Sequence, residues 1–208
     1  MTELNNIQQQ KKFKILLLGD DCIDVYQYGV VDRISPEAPV PIFKPDYEEC
    51  KSGMAGNVRQ NLETLGCEVD YLYNSTSYKT RLIDKRSNQH IVRIDDDVIA
   101  NPISFATEIP LIYDAIVISD YNKGSITYEL VEDIRKEFKG PIFIDTKKQD
   151  LARFEGCIVK INELEYNNRQ SSNDKLIVTL GSKGAKLIDK EIIKKFSSVE
   201  SEVVDVTG

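Results

Sequence analysis

Several side chains in this sequence have the type and position to meet a polar, anionic ligand. Asp24 follows a short apolar run, Ile15 to Leu18, and a carboxylate just past a strand end can accept hydrogen bonds from ligand hydroxyls. A turn or helix-cap aspartate is the plainer alternative. Arg33, Lys79, Arg81 and Arg93 lie in two stretches of β character. Cations there would suit a phosphorylated ligand, with arginine gripping phosphate through two parallel hydrogen bonds, whereas a solvated strand face is the competing reading. Gly53 allows close approach of backbone to a ligand, and Asn57 follows one helical turn later. Asn162 and Glu165 form an N-x-x-E pair, with the spacing of a polar pair at a helix start. Thr179, Gly181 and Gly184 make a glycine-bearing turn after a late apolar run.

The elements that must position these groups can be read from periodicity. The runs Ile15 to Leu18, Ala115 to Ile118, Ile142 to Ile144 and Leu176 to Val178 end at Gly19-Asp20, Ser119-Asp120, Asp145 and Thr179. They are too short for buried helices and too continuously apolar for one-sided strands, so they predict parallel strands covered on both faces. Met54, Val58, Leu62 and Leu65 recur at helical spacing before Gly66, and Leu130, Val131, Ile134 and Phe138 do so between Thr127 and Gly140-Pro141. Strands alternating with helices predict an α/β domain with a mostly parallel sheet, whose ligands sit beyond the carboxyl ends of the strands. VYQYGVV, VPIFKP, KTRLID and HIVRID interrupt the alternation and predict a separate β flap, with Lys79, Arg81 and Ile83 on one face of their strand.

Composition narrows the function classes. The chain has 208 residues, 41% hydrophobic and 29% charged, with a net charge of −7. Diffuse acidity argues against non-specific nucleic-acid binding. No apolar run has the length of a membrane span, the polar start carries no signal-peptide core, and a cytoplasmic protein with no membrane partner is expected. Cys22, Cys50, Cys67 and Cys157 are widely spaced and predict reduced thiols rather than a disulfide framework. There is no GxxxxGK[ST], GxGxxG or HExxH, and His90, in a predicted strand, is the single histidine available to a Ser-His-Asp triad.

What remains is an ordered series: GDDCIDVYQYG, RISPEAPVPIF, SGMAGNV, NQHIVRID, SDYNKG, NELE, VTLGSKG and DVTG. In this order the strings resemble the ribokinase-like carbohydrate kinases, and RISPEAPVP and NQHIVRID resemble the branch acting on heptose 7-phosphate. The resemblance implies a three-layer α/β fold with a mostly parallel sheet and a small β lid, incomplete at the C-terminus. It implies ATP-dependent phosphorylation of D-glycero-D-manno-heptose 7-phosphate to the 1,7-bisphosphate, in the route to ADP-heptose for cell-surface lipopolysaccharide. Another sugar of the family, or a non-catalytic sugar-phosphate binding protein, are the alternatives.

The same resemblance assigns residues. Asp24, Gly53 and Asn57 would hold the sugar, with Arg33, Lys79, Arg81 and Arg93 near its phosphate. Thr179, Gly181, Gly184, Thr207 and Gly208 would meet the nucleotide. Asn162 and Glu165 would organise Mg2+ through water, and Asp205 and Thr207 would hold a monovalent cation, K+. DVTG matches the opening of D-[TV]-T-G-A-G-D, whose closing aspartate is the base, so the base is expected beyond Gly208 and the 208-residue chain is expected to be inactive alone. Ser52 and Met54 depart from the family's paired glycines, which bears on the shape of the sugar pocket. Residues 1–12 are expected to be a disordered lead-in and 13–208 the kinase domain, with lid strands from about 25–45 and 78–96. Exposed lid edges predict a homodimer.

Overall fold

The computed structural model describes residues 12–104 and 112–198. Strand β1 (Lys14–Gly19) passes through the single residue Asp20 into the long strand β2 (Asp21–Ile34). The chain returns along β3 (Pro41–Gly53) and enters helix α1 (Met54–Thr64) with no loop between. β4 (Glu68–Leu72) follows, then β5 (Thr76–Asp84), β6 (Gln89–Asp96) and β7 (Ala115–Asp120). Beyond these come α2 (Tyr128–Glu137), β8 (Ile142–Thr146), β9 (Ile158–Asn162), the short helix α3 (Glu163–Asn168), β10 (Lys175–Thr179), β11 (Ala185–Asp189) and β12 (Ile192–Phe196).

Two sheets result. The main sheet has the order β12-β11-β10-β9-β8-β7-β1-β4, parallel from β4 to β10 and closed at its far edge by an antiparallel hairpin. The lid sheet has the order β3-β2-β5-β6, with antiparallel outer pairs around a parallel β2–β5 pair. Its strands begin earlier and end later than the β-rich sequence segments suggest, reaching Asp21 and Gly53. The lid therefore grows directly out of β1 and α1, the elements that carry the candidate site.

Local sequence explains the helices. Thr127 caps α2 by accepting a hydrogen bond from the Leu130 amide at 3.1 Å, and Leu130, Val131 and Ile134 are buried beneath it. Helix α1 closes with a Schellman arrangement. The Cys67 and Gly66 amides donate to Leu62 and Glu63 carbonyls at 3.1 and 2.9 Å, and Gly66 takes the required left-handed φ of +86°.

The expected two-sided burial holds only for β1 and β7, beside the β4 edge of the main sheet. Ile15 through Gly19 of β1 are all buried. Leu16 and Leu18 join the core under α2, whereas Gly19, pointing the other way, packs against Ala55 of α1. From β8 outwards only alternate residues are buried: Ile142 and Ile144, Val159 and Ile161, Leu176 and Val178, while Phe143 is 38% exposed. The reason is coverage. α2 and the 3-10 turn Leu151–Phe154 cover one face, and α1 on the other reaches only β1, β4 and β7. Leu65, expected on the buried stripe of α1, is 80% exposed, because the helix ends at Thr64 and Leu65 is its C-cap.

Candidate functional site

The carboxyl ends of β1, β7, β8, β9 and β10 form one edge, and the lid rises from its β1 end. Asp20, which sequence reasoning placed at a strand end but assigned no task, organises this junction. It is 2% exposed, and its carboxylate accepts hydrogen bonds from the amides of Tyr121 at 2.8 Å, Lys123 at 3.1 Å and Ser125 at 3.3 Å. Its own carbonyl accepts from the Ala55 amide. Through its carboxylate and its carbonyl this one buried residue ties the SDYNKG loop, the lid hinge and the start of α1 together. The loop can bend this tightly because Asn122 and Gly124 adopt positive φ, and a Cβ at Gly124 would meet the Ala100 carbonyl at 2.3 Å.

Asp24, Gly53 and the first turn of α1, which carries Asn57, come together. Asp24 is on β2, and a Cβ built on Gly53 of the neighbouring β3 would lie 2.4 Å from its Oδ2, so only glycine fits beside the carboxylate. Asn57 is half-buried in the first turn of α1, and its side chain makes no hydrogen bond among the described residues. Met54, the departure from paired glycines, is buried with φ +46°. The backbone keeps the left-handed conformation that glycine would favour, at a cost of about 1–3 kcal/mol.

The four lid cations have different fates. In register, Lys79 lies opposite Asp24, and Arg81 lies between Tyr26 and Arg93. Arg81 donates to Asp24 Oδ1 at 2.5 Å, its side chain 7% exposed, with its guanidinium 5.1 Å from the centre of the Tyr26 ring. Lys51 approaches the same ring at 4.9 Å. Burial pulls the Arg81 guanidinium down, but the hydrogen bond and charge of Asp24 outweigh it and leave the group above its ordinary range. Arg93 makes two bonds to Asp95, at 2.8 and 2.9 Å, on an exposed edge. Lys79 is half-buried and has no ion-pair partner among the described residues. Arg33 does not join the group: it is exposed nine residues further along the strand direction from Asp24, about 30 Å for extended chain.

At the main-sheet edge, acids and lysines alternate. Lys148 bonds both oxygens of Asp120, at 2.9 and 2.7 Å, and the Ile126 carbonyl; Thr146 adds a hydroxyl at 2.7 Å. Asp120 is 1% exposed, so this pair is buried. Lys160 reaches Asp145 at 2.8 Å, and Lys147 pairs with Glu165. Burial lowers the Lys147 ammonium, yet Glu165 and Asp145 more than compensate and hold it above its ordinary value. None of these lysines was singled out by sequence reasoning. The signal available was their place directly after or within the strands whose ends were already of interest.

Asn162 and Glu165 form a capping box on α3: each side chain accepts the other's amide at 2.8 Å. Both therefore hold fixed orientations at the strand end. Among the described residues no cluster of three or more His, Cys, Asp or Glu could ligate a metal directly. Thr179 sits beside Asn162 in register, with its hydroxyl 3.5 Å from the Ile161 carbonyl. Gly181 and Gly184 have φ +59° and +88°, and a Cβ at Gly184 would meet the Phe196 carbonyl at 2.0 Å, so that turn demands glycine. Asp205, Thr207 and Gly208 lie outside the described residues. No helix of the described residues is long and apolar enough to cross a membrane.

Comparison with known proteins places this arrangement. No protein-family model matches the sequence. The bifunctional protein HldE of Nitratiruptor sp. is 31% identical over 255 aligned positions, which span 95% of this chain and 54% of that protein. HldE of Campylobacter jejuni serotype O:6 is 30% identical over 254 positions, spanning 96% and 54%. The chain thus spans about half the length of these curated relatives. Alignments of 254 and 255 positions against 208 residues also mean that the relatives carry segments with no counterpart here. Among solved structures, Arabidopsis thaliana ribokinase complexed with ribose and ATP superposes with a TM-score of 0.60 at 14% identity, covering 95% of this chain and 82% of that one. Escherichia coli phosphofructokinase-2 in complex with fructose-6-phosphate gives 0.55 at 13%, covering 92% and 82%. By fold the chain is ribokinase-like, and by sequence it is similar to the HldE proteins over about half their length.

Proposed function

We propose that this chain binds D-glycero-D-manno-heptose 7-phosphate and ATP in the phosphorylation of that sugar to its 1,7-bisphosphate, a step toward ADP-heptose. The observation that carries the reading is the meeting of Asp24, Gly53 and the Asn57 turn under a lid face bearing Lys79, Arg81 and Arg93. Asp24 accepts sugar hydroxyls, Asn57 offers an unengaged amide, and Gly53 keeps the floor thin. The lid, hinged at Asp20 and Gly53, closes over the sugar and excludes water. Magnesium, when bound, would neutralise phosphate charge on ATP; Asn162 and Glu165 would hold it through water, and Thr179, Gly181 and Gly184 would border the nucleotide. Asp205 and Thr207 hold K+, and Thr207 and Gly208 meet the phosphates. The similarity to HldE and the RISPEAPVP and NQHIVRID strings support the heptose in particular.

Calorimetric titration with heptose 7-phosphate, fructose 6-phosphate and ribose, each with ATP and magnesium, tests this. Tightest binding of the heptose phosphate is expected; preference for either other sugar overturns it. A second reading, a sugar-phosphate binding protein without turnover, is supported by the pairing of Lys147 with Glu165, which already neutralises the carboxylate proposed for magnesium. Sugar binding with no ATP binding would favour it. Tyr78, Val92 and Ile94 are 44–53% exposed on the lid, and pairing of two lids would bury them in a homodimer, which sedimentation velocity reads directly.

A further inference from the structure

Four lid cations are chemically suited to a sugar phosphate, but the geometry separates them. Arg81 is enclosed on every side that the structure shows. Its guanidinium ends on Asp24 Oδ1, its plane lies near Tyr26, and Tyr26 itself is 7% exposed with Lys51 on it. A side chain 7% exposed has little surface left to offer a phosphate. Asp24, in turn, is wedged: Arg81 holds Oδ1, and Gly53 leaves only enough space for Oδ2. Arg81 thus determines which way the carboxylate faces and keeps its charge compensated inside a partly buried site.

We propose that Arg81 is a positioning residue that orients Asp24 for the sugar hydroxyls, and that it does not bind the substrate's phosphate. This rests on the sugar-phosphate reading above. The phosphate then falls to Lys79, the neighbouring lid cation that has no ion-pair partner among the described residues and stands opposite Asp24 in register. The chemistry is consistent: a planar guanidinium is suited to fixing a carboxylate, and a flexible ammonium can follow a phosphate as the lid closes.

The experiment compares two ligands that differ only in the phosphate, heptose 7-phosphate and the unphosphorylated heptose, on wild type, Arg81→Gln, Arg81→Lys and Lys79→Met. Arg81→Gln is expected to weaken both ligands by the same factor, about tenfold or more, leaving their ratio unchanged within about twofold. Arg81→Lys, which restores the charge on Asp24, should recover part of the loss for both. Lys79→Met should reduce only the phosphorylated ligand, about tenfold. The affinity ratio is independent of the folded fraction, so a poorly folding Arg81→Gln still gives an answer. Selective loss of the phosphorylated sugar in Arg81→Gln, with normal wild-type binding, overturns the positioning role alone. Wild type binding neither sugar overturns the functional reading, and the role of Arg81 with it.

Discussion

Each sheet withdraws one ion pair from solvent, Asp120–Lys148 in the main sheet and Arg81–Asp24 in the lid, and the two pairs differ in what surrounds them. In the main sheet the Asp120–Lys148 pair sits over a continuous apolar core, and every partner is satisfied by Thr146, Asn122 or the Ile126 carbonyl. Among the described residues the other lid pairs are more exposed, as with Lys44–Asp32 and Arg93–Asp95, and so are the main-sheet pairs Lys147–Glu165 and Lys160–Asp145. Buried pairs are costly to break because a lone charge remains in low dielectric, whereas exposed pairs contribute little. The Asp120–Lys148 pair is therefore costly to break over the main core, and the lid relies on its backbone ladders and the Arg81–Asp24 pair.

This contrast can be broken first at Lys148. Lys148→Met should destabilise the protein by about 3–5 kcal/mol, read by denaturant unfolding, and Asp120→Asn in the same chain should recover much of that loss. Additive losses would mean that the pair is not coupled. Met54 sharpens the picture at the hinge. Met54→Ala loses buried side chain and keeps the strained φ, costing about 2–4 kcal/mol, while Met54→Gly relieves the strain and should cost about 1 kcal/mol less than the alanine variant. An alanine variant as stable as the glycine variant would remove the strain argument.

The buried thiols give a pH signature. Burial pushes Cys22 and Cys157 from 9.0 to about 11, so the folded state favours the protonated thiol. Their contribution is fully present below pH 9 and is lost as pH rises toward about 11, so the melting temperature should fall across that window. A Cys22→Ala/Cys157→Ala variant should show a shallower fall; an unchanged slope would assign the decline elsewhere. The smallest effect belongs to the exposed lid. Arg93→Ala should change stability by less than about 1 kcal/mol, and its loss should vanish at high salt. A larger, salt-independent loss would place Arg93 in the same class as Arg81.

Much of this was legible before any coordinates. Short apolar runs ending in Asp or Thr marked the strand ends, Thr127 and Gly66 marked helix limits, and period-two parity put Lys79, Arg81 and Ile83 on one face of β5. Parity says which residues share a face, but not which of them will find a partner. Arg81 is enclosed and Lys79 is not because of Asp24 and Tyr26, which come from a strand more than fifty residues away in sequence. Asp20 illustrates the same limit, since its amide partners lie 101 to 105 residues downstream.

Local chemistry by itself determined the central strands, the Thr127 cap, the Gly66 stop and the candidate ligand groups, because each depends on residues within a few positions of one another. The tertiary structure alone decided the ion pairing at the sheet edge, the one-sided burial of β8 to β10 and the division of labour among the lid cations. Those depend on which elements pack together, and a charge takes its energy from the partners and solvent that packing leaves it.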